Sequence, residues 1–175
     1  SETSKKDIHK YYDYSLENIY VIPNGVNREE FHPPLDQRDD DFLLVVGARY
    51  PHKNLTELLE QSHLWKGKYK LVVTSCSGSY RRTVDKLVLQ LNLQDDITFH
   101  DYVSHDKLIE LYQQCKALVY ISKWEGFGIP PLEALASGAR VIASDIPVLR
   151  EVLADTAEFI KFEDNDSWEN AFSAI

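Results

Sequence analysis

The chain contains no methionine, only two cysteines, and seven residues each of glycine and proline among its 175. Cys76 and Cys115 stand apart, with no CxxC spacing and no neighbouring Cys/His cluster. That argues against a zinc site or a disulfide framework and points to a reducing compartment. No apolar run approaches the ~18 residues that cross a bilayer, and no segment has the layout of a signal peptide. Bases are outnumbered, 19 against 28 acids, for a formal charge of −9. Nucleic acid is therefore not expected as a partner. A small anion is not excluded, because a few cations in a cleft act independently of net charge. With Ser1 first and no methionine, the chain is expected to be a piece of a longer protein.

What is present suits one packed domain: 43% of residues are hydrophobic and 27% charged. Residues 1–40 are polar and irregular and read as a linker between domains and the start of the folded one. They contain a helical start from Lys5 to Tyr11, a short strand over Ile19–Ile22, and the turn Pro23-Asn24-Gly25-Val26. Pro33-Pro34 and the acids from Asp36 to Asp41 read as a surface linker, and the cluster Glu163–Glu169 as solvated acids. From residue 41 the pattern becomes that of a folded domain. Phe42–Val46 is an unbroken apolar run ended by Gly47, the mark of a strand covered on both faces. Asn54 is placed as the cap of a helix carrying Leu55, Leu58 and Leu59 and running to about Trp65. Further strands are expected at 71–73, 97–99, 117–121, 141–143 and 158–160. Helices fall at 80–91, after Ser104, up to Ala136, and at 147–154.

Strand and helix alternate with connections too short for hairpins, which predicts a doubly wound α/β domain with a parallel, Rossmann-like sheet. In such folds ligands bind beyond the carboxyl ends of the strands. Gly47, Gly78, Gly126 and Gly128 all fall there.

The densest of these loops is Trp124-Glu125-Gly126-Phe127-Gly128-Ile129-Pro130-Pro131-Leu132-Glu133-Ala134. The Gly-Phe-Gly bend lets a ligand approach the backbone, and the prolines suit the first turn of a helix. Free N–H groups at a positive helix end receive anions or hydroxyls. Glu125 and Glu133 cannot bind phosphate, but each can accept from sugar or ribose hydroxyls. A nucleotide sugar fits that combination. The plainer reading is a tight turn before a helix that carries acids. A second loop, Val46 to Asn54, brings Arg49 and Lys53 to the same edge, where two cations can hold a diphosphate leaving group. Alone it reads equally as two solvated bases.

The loop Ser75–Ser79 is polar enough to touch a ligand, with Arg81 and Arg82 read as a solvated helix start. The stretch His100–Ser104 is a further place for a base. Trp124 is expected to pack. Gly-Phe-Gly-Ile-Pro-Pro is not GxGxxG, so a dinucleotide fingerprint is absent.

Together, Glu125 and Glu133 as E-x7-E within EGFGIPPLEA, with VIPNGVNREEFHP (21–33), VGARYPHKN (46–54) and ASGARVIASDIPVLREV (136–152), make most of the chain resemble one group. These segments are similar to the retaining glycosyltransferases of the GT-B fold, glycosyltransferase family 4, also called glycosyl transferases group 1. The resemblance implies a C-terminal donor-binding half at 41–175, with the acceptor-binding N-terminal domain and a terminal helix lying outside the chain. It implies Glu125, Arg49 and Lys53 as catalytic, Glu125 on the transferred sugar and the two cations on the diphosphate. Glu133 falls to the ribose, and Gly47, Ser75, Gly126, Phe127, Gly128 and Ile129 to other donor contacts. Tyr102 and Val103 then line the base pocket. The donor expected is a UDP- or GDP-sugar, with no metal or other cofactor, and the acceptor a glycan or lipid-linked sugar. A cytoplasmic setting at the inner face of a membrane follows from the same resemblance, as does a role in cell-surface polysaccharide synthesis. Arg49 and Lys53 lie one residue closer than in the commoner form of the phosphate motif. Two other readings stand beside it: a GT-B sugar-nucleotide epimerase, and a non-catalytic nucleotide-binding module.

Overall fold

The computed structural model describes residues 1–35 and 41–175. Six strands form a wholly parallel sheet: β1 (Phe42–Val45), β2 (Lys70–Thr74), β3 (Ile97–His100), β4 (Ala117–Tyr120), β5 (Arg140–Ser144) and β6 (Glu158–Ile160). Their order across the sheet is β3-β2-β1-β4-β5-β6. The direction of winding reverses between β1 and β4, and that reversal opens a crevice at the carboxyl edge.

The central strands β1 and β4 are apolar throughout because both faces are covered. Leu43 and Val45 of β1 enter one hydrophobic cluster, while Leu44 between them enters the other. In β4, Ala117 and Val119 likewise oppose Leu118 and Tyr120. Helices α2 (Leu55–Glu60), α3 (Gly78–Gln90) and α7 (Asn165–Ser173) cover the first face. Helices α4 (His105–Gln114), α5 (Ile129–Ala136) and α6 (Pro147–Leu153) cover the second. The doubly wound sheet read from the sequence is the one observed. Among the described residues, no helix is long and apolar enough to cross a membrane.

Several local expectations change. The run Ile19–Ile22 is not a strand; it has no ladder partner among the described residues, and Tyr20 and Ile22 are 85% and 86% exposed. β-rich composition makes a strand only where a neighbour supplies hydrogen bonds. Helix α1 covers Glu2–Tyr12, starting earlier than its composition suggests because the Ser1 hydroxyl accepts from the Ser4 N–H. Asn54 does not cap α2 through its side chain; it adopts a left-handed conformation and donates to Glu57 Oε2 at 2.6 Å. Helix α2 stops at Glu60, and the indole N–H of the fully buried Trp65 donates to the Leu58 carbonyl at 3.1 Å. That takes up one of the carbonyls orphaned at the helix end. Helix α7 emerges where the sequence suggested only solvated acids. Asp164 caps it by accepting from Ser167, and Trp168, Ala171 and Phe172 are buried. The apolar spacing 168, 171, 172 was there to find, hidden among acids on the outer face. Of the acid run from Asp36 to Asp41, only Asp41 lies within the described residues.

Candidate functional site

The two loops that flank the β1/β4 reversal carry the cations and acids read from the sequence. They are tied together by the Lys123 N–H, which donates to the His52 carbonyl at 2.8 Å. Next to that bond, Lys53 Nζ lies 2.6 Å from Glu125 Oε1 and 3.0 Å from the Tyr120 hydroxyl. The ammonium also sits 4.7 Å from the centre of the Tyr120 ring. Both partners are largely buried, their side chains 17% and 13% exposed. Burial by itself pushes the Glu125 carboxyl up. The Lys53 hydrogen bond, with the neighbouring Ser122 and Tyr120 hydroxyls and the Lys53 charge, outweighs it and holds the group below the usual glutamate value. Burial, then the nearby Glu125 charge, pushes the Tyr120 phenol up, so the hydroxyl stays protonated. The result is a charged pair held in a largely water-excluded place.

The loop after β4 then turns into α5. Gly128 takes the cap position with φ +101° and offers no capping side chain, and Pro130-Pro131 bring no N–H of their own. The N–H groups of Gly126, Phe127, Gly128 and Ile129 donate to no other described residue. They are free donors at a positive helix end, the arrangement that receives anions and hydroxyls. One turn inside α5, Glu133 Oε2 accepts from the Tyr112 hydroxyl at 3.0 Å. Tyr112 is fully buried on α4, so this bond fixes the carboxylate from below and leaves lone pairs for a ligand.

The carbonyl side of the same loop is used by α1. The Ser1 and Ser4 hydroxyls donate to the Gly126 carbonyl at 3.2 and 3.1 Å. Glu151 on α6 accepts from the Glu2 and Thr3 N–H groups at 2.7 and 3.0 Å, and from the Thr3 hydroxyl at 2.9 Å. No α1 residue is buried, so these polar contacts, more than apolar burial, seat the helix. Glu151→Ala is expected to speed amide exchange in α1 at least roughly tenfold with little change in the midpoint of thermal unfolding. Exchange rates equal to wild type would mean that something else holds the helix.

The remaining candidates are spread along the same edge. Gly47 follows β1, its N–H 3.4 Å from the Thr74 hydroxyl. Arg49 is exposed, its guanidinium 5.9 Å from the Tyr50 ring centre, with no carboxylate partner among the described residues. Ser75 follows β2 in a left-handed conformation and donates its N–H to the His100 carbonyl at 2.8 Å. Tyr102 follows β3, two strands from the crevice, and is 82% exposed; Val103 packs on the second hydrophobic cluster. The structure thus brings Lys53 and Glu125 into contact, with Gly126–Ile129 in the same loop and Glu133 one helical turn on. Arg49, Ser75 and Tyr102 share the edge without touching that group. Arg81 is not simply solvated. It bonds Asp85 at 2.6 Å, lies 3.7 Å from Asp101 and covers the Phe99 ring at 3.9 Å. Trp124, expected to pack, rests one ring face on His52 at 4.0 Å between ring centres but stays outside the core, 64% exposed.

Sequence reasoning missed Tyr112, Tyr120 and His52 as parts of the site. A hint existed for Tyr120, a phenol ending the otherwise aliphatic run Ala117-Leu118-Val119. An open apolar groove of about 720 Å³, lined by Val26, Phe31, Leu132, Leu135 and Val152 among others, contains none of the candidate site residues.

A doubly wound sheet with an ion pair across its reversal and a free helix N-terminus beside it is an arrangement able to receive anions and hydroxyl groups. The family can be stated more closely. Residues 27–175 match the model for glycosyl transferases group 1, and the chain belongs to that family. It is 39% identical over its whole length to the O-antigen chain mannosyltransferase RfbU of Salmonella typhimurium, of which it covers 49%. The chain therefore spans about half the length of that relative. Among solved structures, it superposes with a TM-score of 0.83 on the sucrose-phosphate synthase of Thermosynechococcus elongatus. The identity is 24%, over all of this chain and 47% of that one. The C-terminal domain of a glycosyl transferase group 1 family protein, LpcC, from Francisella tularensis gives a TM-score of 0.72 at 21% identity. That match covers 86% of this chain and 87% of the other. The fold is one half of a GT-B glycosyltransferase.

Proposed function

We propose that the chain is the donor-binding half of a retaining glycosyltransferase. It takes a UDP- or GDP-sugar and delivers the hexose to a glycan or lipid-linked acceptor in cell-surface polysaccharide synthesis, on the cytoplasmic side of a membrane. Mannose is favoured as the hexose by the likeness to an O-antigen mannosyltransferase. The observation that carries the reading is the 2.6 Å Lys53–Glu125 pair across the β1/β4 reversal, beside the free N–H groups of residues 126–129.

Each group has a task in this reading. Lys53, with Arg49 reaching in from its exposed position, neutralises the diphosphate, and the α5 N-terminus adds its N–H groups. Without ligand, Glu125 holds Lys53 in place, so little reorganisation is needed when phosphate arrives. Glu125 then accepts from hydroxyls of the transferred sugar, and Glu133, oriented by Tyr112, accepts from the ribose diol. The acceptor hydroxyl oxygen bonds to the anomeric carbon on the face the phosphate leaves. The carbon–oxygen bond to the diphosphate breaks, and the departing phosphate oxygen takes the hydroxyl proton. No metal is assigned a part. The greater part of acceptor binding is placed in the remaining half of the protein, so the chain by itself is expected to bind donor weakly and transfer nothing.

Calorimetric titration with GDP, UDP and their hexose conjugates tests the reading. Binding of one nucleoside diphosphate is expected; binding of none would favour a non-catalytic module. Glu133→Ala is expected to weaken that nucleotide about ten- to a hundredfold, since hydrogen bonds to a charged acceptor contribute about 1.5–3 kcal/mol each. An unchanged Kd would remove the ribose from Glu133.

A further inference from the structure

Three aromatic rings stand in a near-parallel stack at the lip of the site. Tyr50 and His52 have ring centres 5.8 Å apart at 13°, and His52 and Trp124 are 4.0 Å apart at 21°. Tyr50 and Trp124 are 55% and 64% exposed. The other two tryptophans of the chain, Trp65 and Trp168, are fully buried. This fold encloses tryptophan where the core uses it, and Trp124 serves another end. One face of its indole rests on the imidazole, so an exposure of this size leaves the opposite face to water. Clustered apolar exposure of that kind marks a binding surface more often than an isolated exposed side chain does.

The stack is anchored to the reacting groups by the chain itself. His52 immediately precedes Lys53, Trp124 immediately precedes Glu125, and the Lys123 N–H to His52 carbonyl bond joins the two loops. Burial, then the neighbouring Lys53 charge, lowers the His52 pKa, so the middle ring is neutral near pH 7. The imidazole is thus a flat, uncharged support for the indole. Two exposed aromatic bodies of low conformational freedom make an effective contact surface.

We infer that the Tyr50–His52–Trp124 stack is a platform for a pyranose ring of the acceptor glycan, seated by its C–H face on the free face of Trp124. The inference rests on the donor-binding reading and goes beyond it by placing part of acceptor recognition in this half of the protein. A pyranose suits the surface because one face of the ring is a patch of C–H groups while its hydroxyl rim stays hydrated. The position favours acceptor over nucleobase. Glu133, the proposed ribose contact, is held by Tyr112 from α4 on one side of the sheet. The Trp124 ring is held by the β1–α2 loop, whose helix covers the opposite face. A base attached to that ribose lies away from the stack. A sugar at Glu125 lies beside it.

Because Trp65 and Trp168 are enclosed, iodide quenching of tryptophan fluorescence reports on Trp124. A linear α-linked mannotriose is expected to reduce the iodide quenching slope about twofold, saturably, with or without nucleoside diphosphate. In Trp124→Ala the calorimetric response to the trisaccharide is expected to vanish, and in Trp124→Phe to return in part. Absence of protection in a chain that binds nucleoside diphosphate would overturn the platform and leave the donor reading standing. Protection by nucleoside diphosphate alone, with none from the trisaccharide, would assign the stack to the base instead. Protection by the trisaccharide in a chain that binds no nucleotide would uphold the platform and sink the donor reading.

Discussion

Lys53→Ala is expected to weaken binding of the nucleoside diphosphate about thirtyfold while changing affinity for the bare nucleoside much less. A charge-assisted contact to phosphate contributes about 2 kcal/mol, which is that factor in Kd. Equal losses for diphosphate and nucleoside would take phosphate away from Lys53. The same change also strains the unliganded fold. It leaves the Glu125 carboxylate, 13% exposed, without its cation and the Tyr120 hydroxyl without its donor. Leaving such groups unpaired costs roughly 1–3 kcal/mol, or about 2–10 °C in unfolding midpoint for a chain of this size.

The pH dependence separates this effect from lost packing. In the wild type the Glu125 pKa is held below its ordinary value of 4.5, so its stabilisation is fully present above that pH. It is lost as the pH falls through the lowered native pKa. Without Lys53, the burial that opposes ionisation is left with only the neighbouring Ser122 and Tyr120 hydroxyls against it, and the carboxyl titrates higher. The variant is then penalised most at neutral pH and least in acid. The midpoint difference between wild type and Lys53→Ala should shrink between about pH 7 and about pH 4. A constant difference would show that the charge pair is not its source.

Gly128→Ala is expected to lower stability by about 2–4 kcal/mol, roughly 5–15 °C in midpoint. Two causes add. At φ +101° the backbone is in a region that an L side chain adopts only under strain. A Cβ there would also stand 2.7 Å from Leu149 Cδ2. Leu149 is fully enclosed, so its side chain has no free space into which to withdraw. Gly126, two residues earlier, is the internal control. A Cβ there meets nothing within 4 Å and its φ is not positive, so Gly126→Ala should unfold close to wild type. Similar midpoints for the two variants would mean that the loop relaxes around the methyl group added at position 128. Because Gly128 sets the entry of α5, its substitution should also weaken diphosphate binding by displacing the free N–H groups.

The alternation of apolar runs and helical periods was enough to read a parallel, doubly wound sheet. Strands covered on both faces must be apolar at every position, and Phe42–Val45 and Ala117–Tyr120 are. The post-strand glycines and the acids 125 and 133 were legible for the same reason: a helix entry without side-chain caps is unusual in a chain with few glycines. A strand at 19–22 is suggested by composition and absent from the fold, because pairing is a property of two segments and composition belongs to one. Helix α7 escapes a reading of the sequence because the acids on its solvated face mask an apolar stripe of only three residues, Trp168, Ala171 and Phe172.

By itself, then, the sequence determined the fold class, the edge of the sheet that carries the candidate site, and which acids and bases lie on its loops, since these follow from local periodicity and turn chemistry. The pairing of Lys53 with Glu125 depended on β1 and β4 lying side by side, residues 72 positions apart meeting across one crevice. So did the support that Tyr112 gives Glu133 from another helix, and the stacking of His52 on Trp124. Tertiary structure decided these because contact, burial and the resulting charge state arise only when distant segments share a place.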